Sequence, residues 1–222
     1  VLKQACLEAI DRPILSAGLL AGFADTLDFL DVECSRLTAA AHWSGATAVD
    51  RLRSESASFR TALEPAPETI LAWQKRLEKL GRLAGAIADT VDEISATRRS
   101  AEVEELRYWS GCLASQARSH ERDLAALAPW AALASSAPPE VVTIAGLDEV
   151  LSNDASLAAL SARASDIALT VERVRTGEPS VSGNVDAWLA KLRDAANEAR
   201  EECDWLRDRL ESIAARAGRL FD

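Results

Sequence analysis

Apolar residues recur along most of this chain at alternating steps of three and four, the spacing that gives an α-helix one apolar face. Leu20, Phe23, Leu27, Leu30, Cys34, Leu37 and Ala41 follow it, as do Val49, Leu52, Phe59 and Leu63 with Ser56 in the gap. Ile70, Trp73, Leu77, Leu80, Ala84, Ile87, Val91 and Ile94 run through eight positions without a break. Val103, Leu106, Leu113, Leu124 and Leu127 keep one register, with Ser110, Ala117 and His120 between them. Leu157, Leu160, Ala164, Ile167, Val171 and Val174 form another face. The last seam is the longest: Leu189, Leu192, Ala196, Ala199, Cys203, Leu206, Leu210, Ile213, Ala217 and Leu220. No segment alternates with period two for long; Glu140–Ile144 is the one short strand candidate.

The pattern predicts helices near 14–42, 47–63, 68–97, 101–128, 154–175 and 184–220. The punctuation agrees. Gly45 suits a helix C-terminus, Thr47 with Asp50 suits a cap, and Pro65 and Pro67 interrupt the chain before 68. Ser100 suits an N-cap ahead of Glu102, Glu104 and Glu105, which favour the positive end of a helix dipole. Asn184 suits the N-cap of the last helix. Short loops favour antiparallel neighbours, and the 3.5 spacing favours crossing angles of about 20°. The expected fold is all-α: an elongated antiparallel bundle of about six long amphipathic helices. It forms a single helical domain over 1–222 with an internal break at 134–153, where Pro138 and Pro139 stand.

Composition changes this picture little. The chain has 222 residues, 48% of them hydrophobic, so a sizeable core can form. A net charge of −10 argues against nucleic acid, whose phosphates need clustered Lys and Arg, and against an anionic membrane surface. The most apolar stretch, 14–23, is shorter than the roughly 20 residues a spanning helix needs. The sequence holds no Met and begins at Val1, which suggests a fragment of a longer chain or a processed product. Cys6, Cys34, Cys112 and Cys203 are far apart in sequence, so no CxxC metal or redox motif exists, and free thiols are expected.

Candidate chemistry is sparse. The two histidines, His42 and His120, are too few for a metal site, and His120 falls on the seam of its helix. The acidic pairs Asp92-Glu93, Glu104-Glu105 and Glu201-Glu202 are helical neighbours pointing about 100° apart, so neither pair member converges with the other on one substrate atom. No phosphate-binding, dinucleotide, nucleophile-elbow or zinc-protease motif occurs. We therefore expect no catalytic residue, cofactor or metal ligand. Gly81 and Gly85 flank seam residue Ala84, which suggests close approach of another helix. The six tryptophans, at 43, 73, 109, 130, 188 and 205, suit core packing better than a stacking platform for sugars.

Two stretches, "HERDLAALAPWAAL" (120–133) and "LRDAANEAREECDWLRDRLESIAARAGRLFD" (192–222), resemble the helical region of bacterial cyclic β-1,2-glucan synthases. In that family the region lies between a membrane-embedded glycosyltransferase and a glucoamylase-like domain. The resemblance implies a non-catalytic helical accessory or linker domain of such an enzyme, in the cytoplasm at the inner membrane, with the glucoamylase-like domain as its partner. It carries over no catalytic residue. The alternative is a helical module for protein–protein interaction unrelated to sugars. On either reading the second half of the last helix is the expected interface: Trp205, Leu206, Leu210, Ile213, Leu220 and Phe221. A missing domain or a second copy of the chain would cover it, giving a homo-oligomer in the latter case. No nucleic acid and no membrane span is expected for this segment.

Overall fold

The structure, a computed structural model, describes residues 2–12, 15–39, 46–143, 156–177 and 183–219. Among them are eight α-helices and no strand: α1 (Leu2–Asp11), α2 (Ala17–Ala39), α3 (Ala46–Leu63), α4 (Ile70–Thr97), α5 (Ala101–Leu127), α6 (Trp130–Ser135), α7 (Leu157–Gly177) and α8 (Gly183–Arg219). The fold is all-α. The sequence pattern anticipates six of these and misses α1 and α6. The strand candidate at 140–144 falls largely on a 3₁₀ turn, Pro139–Thr143. No described helix is long and apolar enough to cross a membrane.

Side-chain hydroxyls start several helices. Thr69 accepts from the Ala72 N–H at 3.2 Å, Ser100 from Val103 at 3.4 Å and Ser156 from Ala159 at 3.2 Å. Each satisfies an orphan donor of the first turn. Glu102 bonds back to Ser100, which holds its carboxyl below the usual range. Thr47 and Asn184 instead lie inside the first turns of α3 and α8, and Asp50 pairs with Arg53 at 3.4 Å. Gly45, Ala41 and Leu220 lie outside the described residues, as do His42, Trp43 and Phe221.

The chain forms two compact units that interleave in sequence. One comprises Val1–Leu15, Glu68–Gln74 and Asp123–Asp222; the other comprises Ser16–Pro67 and Lys75–Arg122. The Pro138-Pro139 stretch lies within the first of these.

The Ser16–Arg122 unit is built from α2, α3 and most of α4 and α5. All eight seam residues of α4 are buried, as are Leu20 through Leu37 of the α2 seam. Phe23 joins three helices, with Phe59 at 5.6 Å and the His120 ring edge-on at 5.7 Å. His120 therefore sits against an aromatic core residue. A Cβ on Gly81 would collide with the Glu121 carboxylate, whereas nothing lies within 4 Å of one on Gly85. The close approach expected at both glycines thus occurs at one, and against a side chain. Burial beside Glu78 pushes the Glu121 carboxyl up.

In the other unit α8 packs mainly on α7, with α1 and α6 against it as well. Trp188 is buried, and its indole N–H donates to the Leu133 carbonyl of α6 at 3.2 Å. Trp130 and Ala131 of α6 are fully buried, and Pro129 begins that helix with φ −61°, a value the ring fixes in advance. Trp73, Trp130 and Trp188 are thus core residues.

Candidate functional site

The ion pairs between α7 and α8 fix their direction. Arg175 near the end of α7 donates to Asp186 at 2.7 Å, Arg193 to Glu172 at 2.9 Å, and Ser161 near the start of α7 to Asp204 at 2.8 Å. The two helices are therefore antiparallel, and α7, whose first residue is Leu157, draws level with α8 only as far as about Leu206–Leu210. From there α1 is the neighbour. Its Ala9 lies by Leu206 and Leu210, and its Lys3 lies by Gly218.

This arrangement splits α8. Through Cys203, the seam residues Leu189, Leu192, Ala196 and Ala199 are buried. Beyond it, buried residues are Ala214 and Ala217, while Trp205 is 52% exposed and Ile213 36% exposed. Leu206 and Leu210 are half-buried. Of the expected interface residues, Trp205, Leu206, Leu210 and Ile213 thus reach the surface in whole or part, and Leu220 and Phe221 lie outside the described residues.

Leu206 and Leu210 form one wall of a groove of about 400 Å³. Ala9, Ala126, Leu127 and Leu157 complete the apolar lining, and Asp123 and Glu202 supply its polar groups. On the other side of Glu202 a shallow depression holds Trp205 with Glu198 and Glu201. The Arg209 guanidinium lies 5.1 Å from the centre of the Trp205 ring, a cation–π contact. Cys203, buried at the junction with Asp204 and Glu202 alongside, has its thiol pushed up to about 11, chiefly by burial. It is a poor nucleophile at neutral pH.

A second surface feature escapes sequence reasoning. In the Ser16–Arg122 unit, Phe29 of α2 stacks on Trp109 of α5 with ring centres 4.3 Å apart and planes 8° from parallel. Tyr108 meets Trp109 edge-on at 5.0 Å. Phe29, Val32 and Tyr108 are exposed. The Tyr108 hydroxyl is pushed up by its hydrogen bond with Cys112 and by the carboxylate of Glu105. Phe29 and Trp109 are 80 positions apart, and no local spacing signals that they meet.

The acidic pairs do not form a catalytic dyad. Asp92 faces Arg107 at 3.6 Å, Glu93 pairs with Arg51, and Glu104 and Glu105 are exposed. Among the described residues no three His, Cys, Asp or Glu side chains come together as a metal site. All four cysteines are free, with Cys112 half-buried and the others buried. The described surface carries an apolar groove lined by Asp123 and Glu202 on one unit and an aromatic cluster on the other. No family model, no curated protein and no solved structure matches the chain.

Proposed function

We propose that the chain is a non-catalytic helical accessory module that acts by docking another folded domain through the second half of α8. The observation that carries this is the split in α8: a helix of 37 residues keeps its large apolar residues near its end at the surface and buries two alanines instead. Contiguous apolar surface of this kind is characteristic of interaction sites. The residues of 192–219 that resemble cyclic β-1,2-glucan synthases include this face. On that resemblance the parent is an enzyme that polymerises glucose from a nucleotide sugar, cyclises the chain and trims it at the inner membrane. The docked domain is the glucoamylase-like one, and the helices form an elongated antiparallel bundle that spaces the catalytic parts.

A second reading, an interaction module unrelated to sugars, is favoured by the exposed Phe29–Trp109–Tyr108 cluster, which lies outside the resembling segments. One experiment separates the two. The chain is mixed with the glucoamylase-like domain of a cyclic β-1,2-glucan synthase and hydrogen exchange is followed over 205–219. Slowed exchange there, with none over 24–37, supports the glucan-synthase reading. Slowing only at 24–37 and 105–112 overturns α8 as the docking face for that domain. No slowing at either place overturns docking of that domain and favours the second reading. The chain alone is expected neither to hydrolyse β-1,2-glucan nor to consume a sugar nucleotide.

A further inference from the structure

We propose that the groove beside α8 receives a basic amphipathic helix, with leucine-like side chains in the groove and lysine or arginine along its acidic edge. This rests on reading α8 as a docking face and names the chemistry of what docks there. Leu206 and Leu210, one turn apart, present a ridge, and Ala9 and Ala126 are small enough for an incoming helix to come close. The buried Leu127 and Leu157 close the floor. This is the geometry in which a helix lays residues i, i+3, i+4 and i+7 into an apolar channel.

Charge selects among occupants. Glu202 and Asp123 line the groove, and Glu198 and Glu201 share with Glu202 the adjoining depression, where Arg209 lies against Trp205; Glu198, Glu201 and Glu202 form no ion pair among the described residues. A second copy of the chain would set this acidic edge against another acidic surface, with −10 on each chain. An anionic lipid surface is repelled for the same reason. A sugar or nucleotide would find almost no hydrogen-bonding groups in the groove, whose lining has only two polar residues. A basic, apolar-faced helix gains both apolar burial and charge pairing.

The test uses the full chain and three peptides: a helical peptide with leucines at i, i+3, i+4 and i+7 and lysines elsewhere, a scrambled peptide of the same composition, and one with glutamate replacing lysine. Binding is read by calorimetry and by hydrogen exchange over 202–213. The expected result is one site for the first peptide only, weakened on the order of tenfold by Glu202→Lys or Glu201→Lys and weakened further by salt. Both substitutions sit at the helix surface, and circular dichroism checks that helix content is kept. Equal binding of the scrambled peptide, equal binding of the glutamate peptide, absence of binding, or dimerisation of the chain through this face each overturns the proposal. If a folded domain protects 205–219 while the lysine peptide does not bind, the docking function stands and this inference falls.

Discussion

The two halves of α8 have the same apolar periodicity and opposite fates. From Val185 to Cys203 eight residues are buried, and Trp188 is locked to α6 by its indole N–H. From Asp204 to Arg219 only Ala214 and Ala217 are buried, and bulkier Trp205 and Ile213 face outward. The difference lies in the neighbours. α7 runs antiparallel to α8 and begins at Leu157, so its described residues cover the first half and stop where the groove opens. α1, only 10 residues long, covers one side of what remains. An apolar seam records what a helix is able to bury; the partner helices decide how much of it is buried.

The largest test of this contrast is truncation in the two halves. Leu192→Ala removes a fully buried side chain and is expected to cost about 2–5 kcal/mol in denaturant unfolding. Leu210→Ala, at a half-buried site, should cost about 1 kcal/mol or less, since full burial of a leucine is itself worth roughly 1.5–3 kcal/mol. Equal losses would abolish the contrast. Next come the two tryptophans. Trp188→Phe removes the indole bond to the Leu133 carbonyl, which keeps the Ser136 N–H at 3.0 Å and the Ser136 hydroxyl at 3.1 Å, and is expected to cost about 1 kcal/mol for the lost bond plus the smaller ring in a buried site. Trp205→Phe, at the surface, should stay within about 0.5 kcal/mol.

The periodicity made much of this legible. All eight α4 seam residues are buried because a long uninterrupted pattern leaves one solution. The misses have local causes. α1 spans under three turns and buries only Cys6 and Ile10, too few points to fix a period. α6 is six residues long and follows a proline. Near the end of α8 a strict 3-4 count selects Ile213, while the helix buries Ala214. A straight α-helix drifts about 20° per heptad against a 3.5 repeat, so over a helix this long the buried face moves off a strict 3-4 count. Trp188 and Trp205 occupy equivalent places beside the seam, yet one is core and the other surface, because α6 meets only the first. The groove was half legible: its α8 wall belongs to the expected interface, but Ala9, Ala126 and Leu157 come from three other helices.

Two smaller effects sharpen the contrast. Arg175 holds the Asp186 carboxyl below its usual 3.8, so the folded state binds that proton more weakly than the unfolded chain. The pair therefore adds stability above pH 3.8, and that stability is lost as pH falls through the lowered value. Arg175→Ala should flatten the acid limb of the stability profile in this window, and an unchanged limb would show that the pair contributes nothing. Smaller still is the thiol order. Cys203, buried and with its thiol pushed up to about 11, should react with iodoacetamide more slowly in the native chain than half-buried Cys112. The reverse order, read by mass spectrometry, would place the boundary of the buried half earlier in α8.

Hydrogen exchange along α8 tests the central claim most directly. Local opening is cheapest where few buried contacts oppose it. The expected profile is strong protection from about Trp188 to Cys203 and a fall from Trp205 onward, with the second stretch gaining protection when a docking partner is added. Uniform protection from Trp188 to Arg219 in dilute solution, unchanged by any partner, would mean that α8 is satisfied within its own unit. It would contradict the assignment of its second half as a docking face.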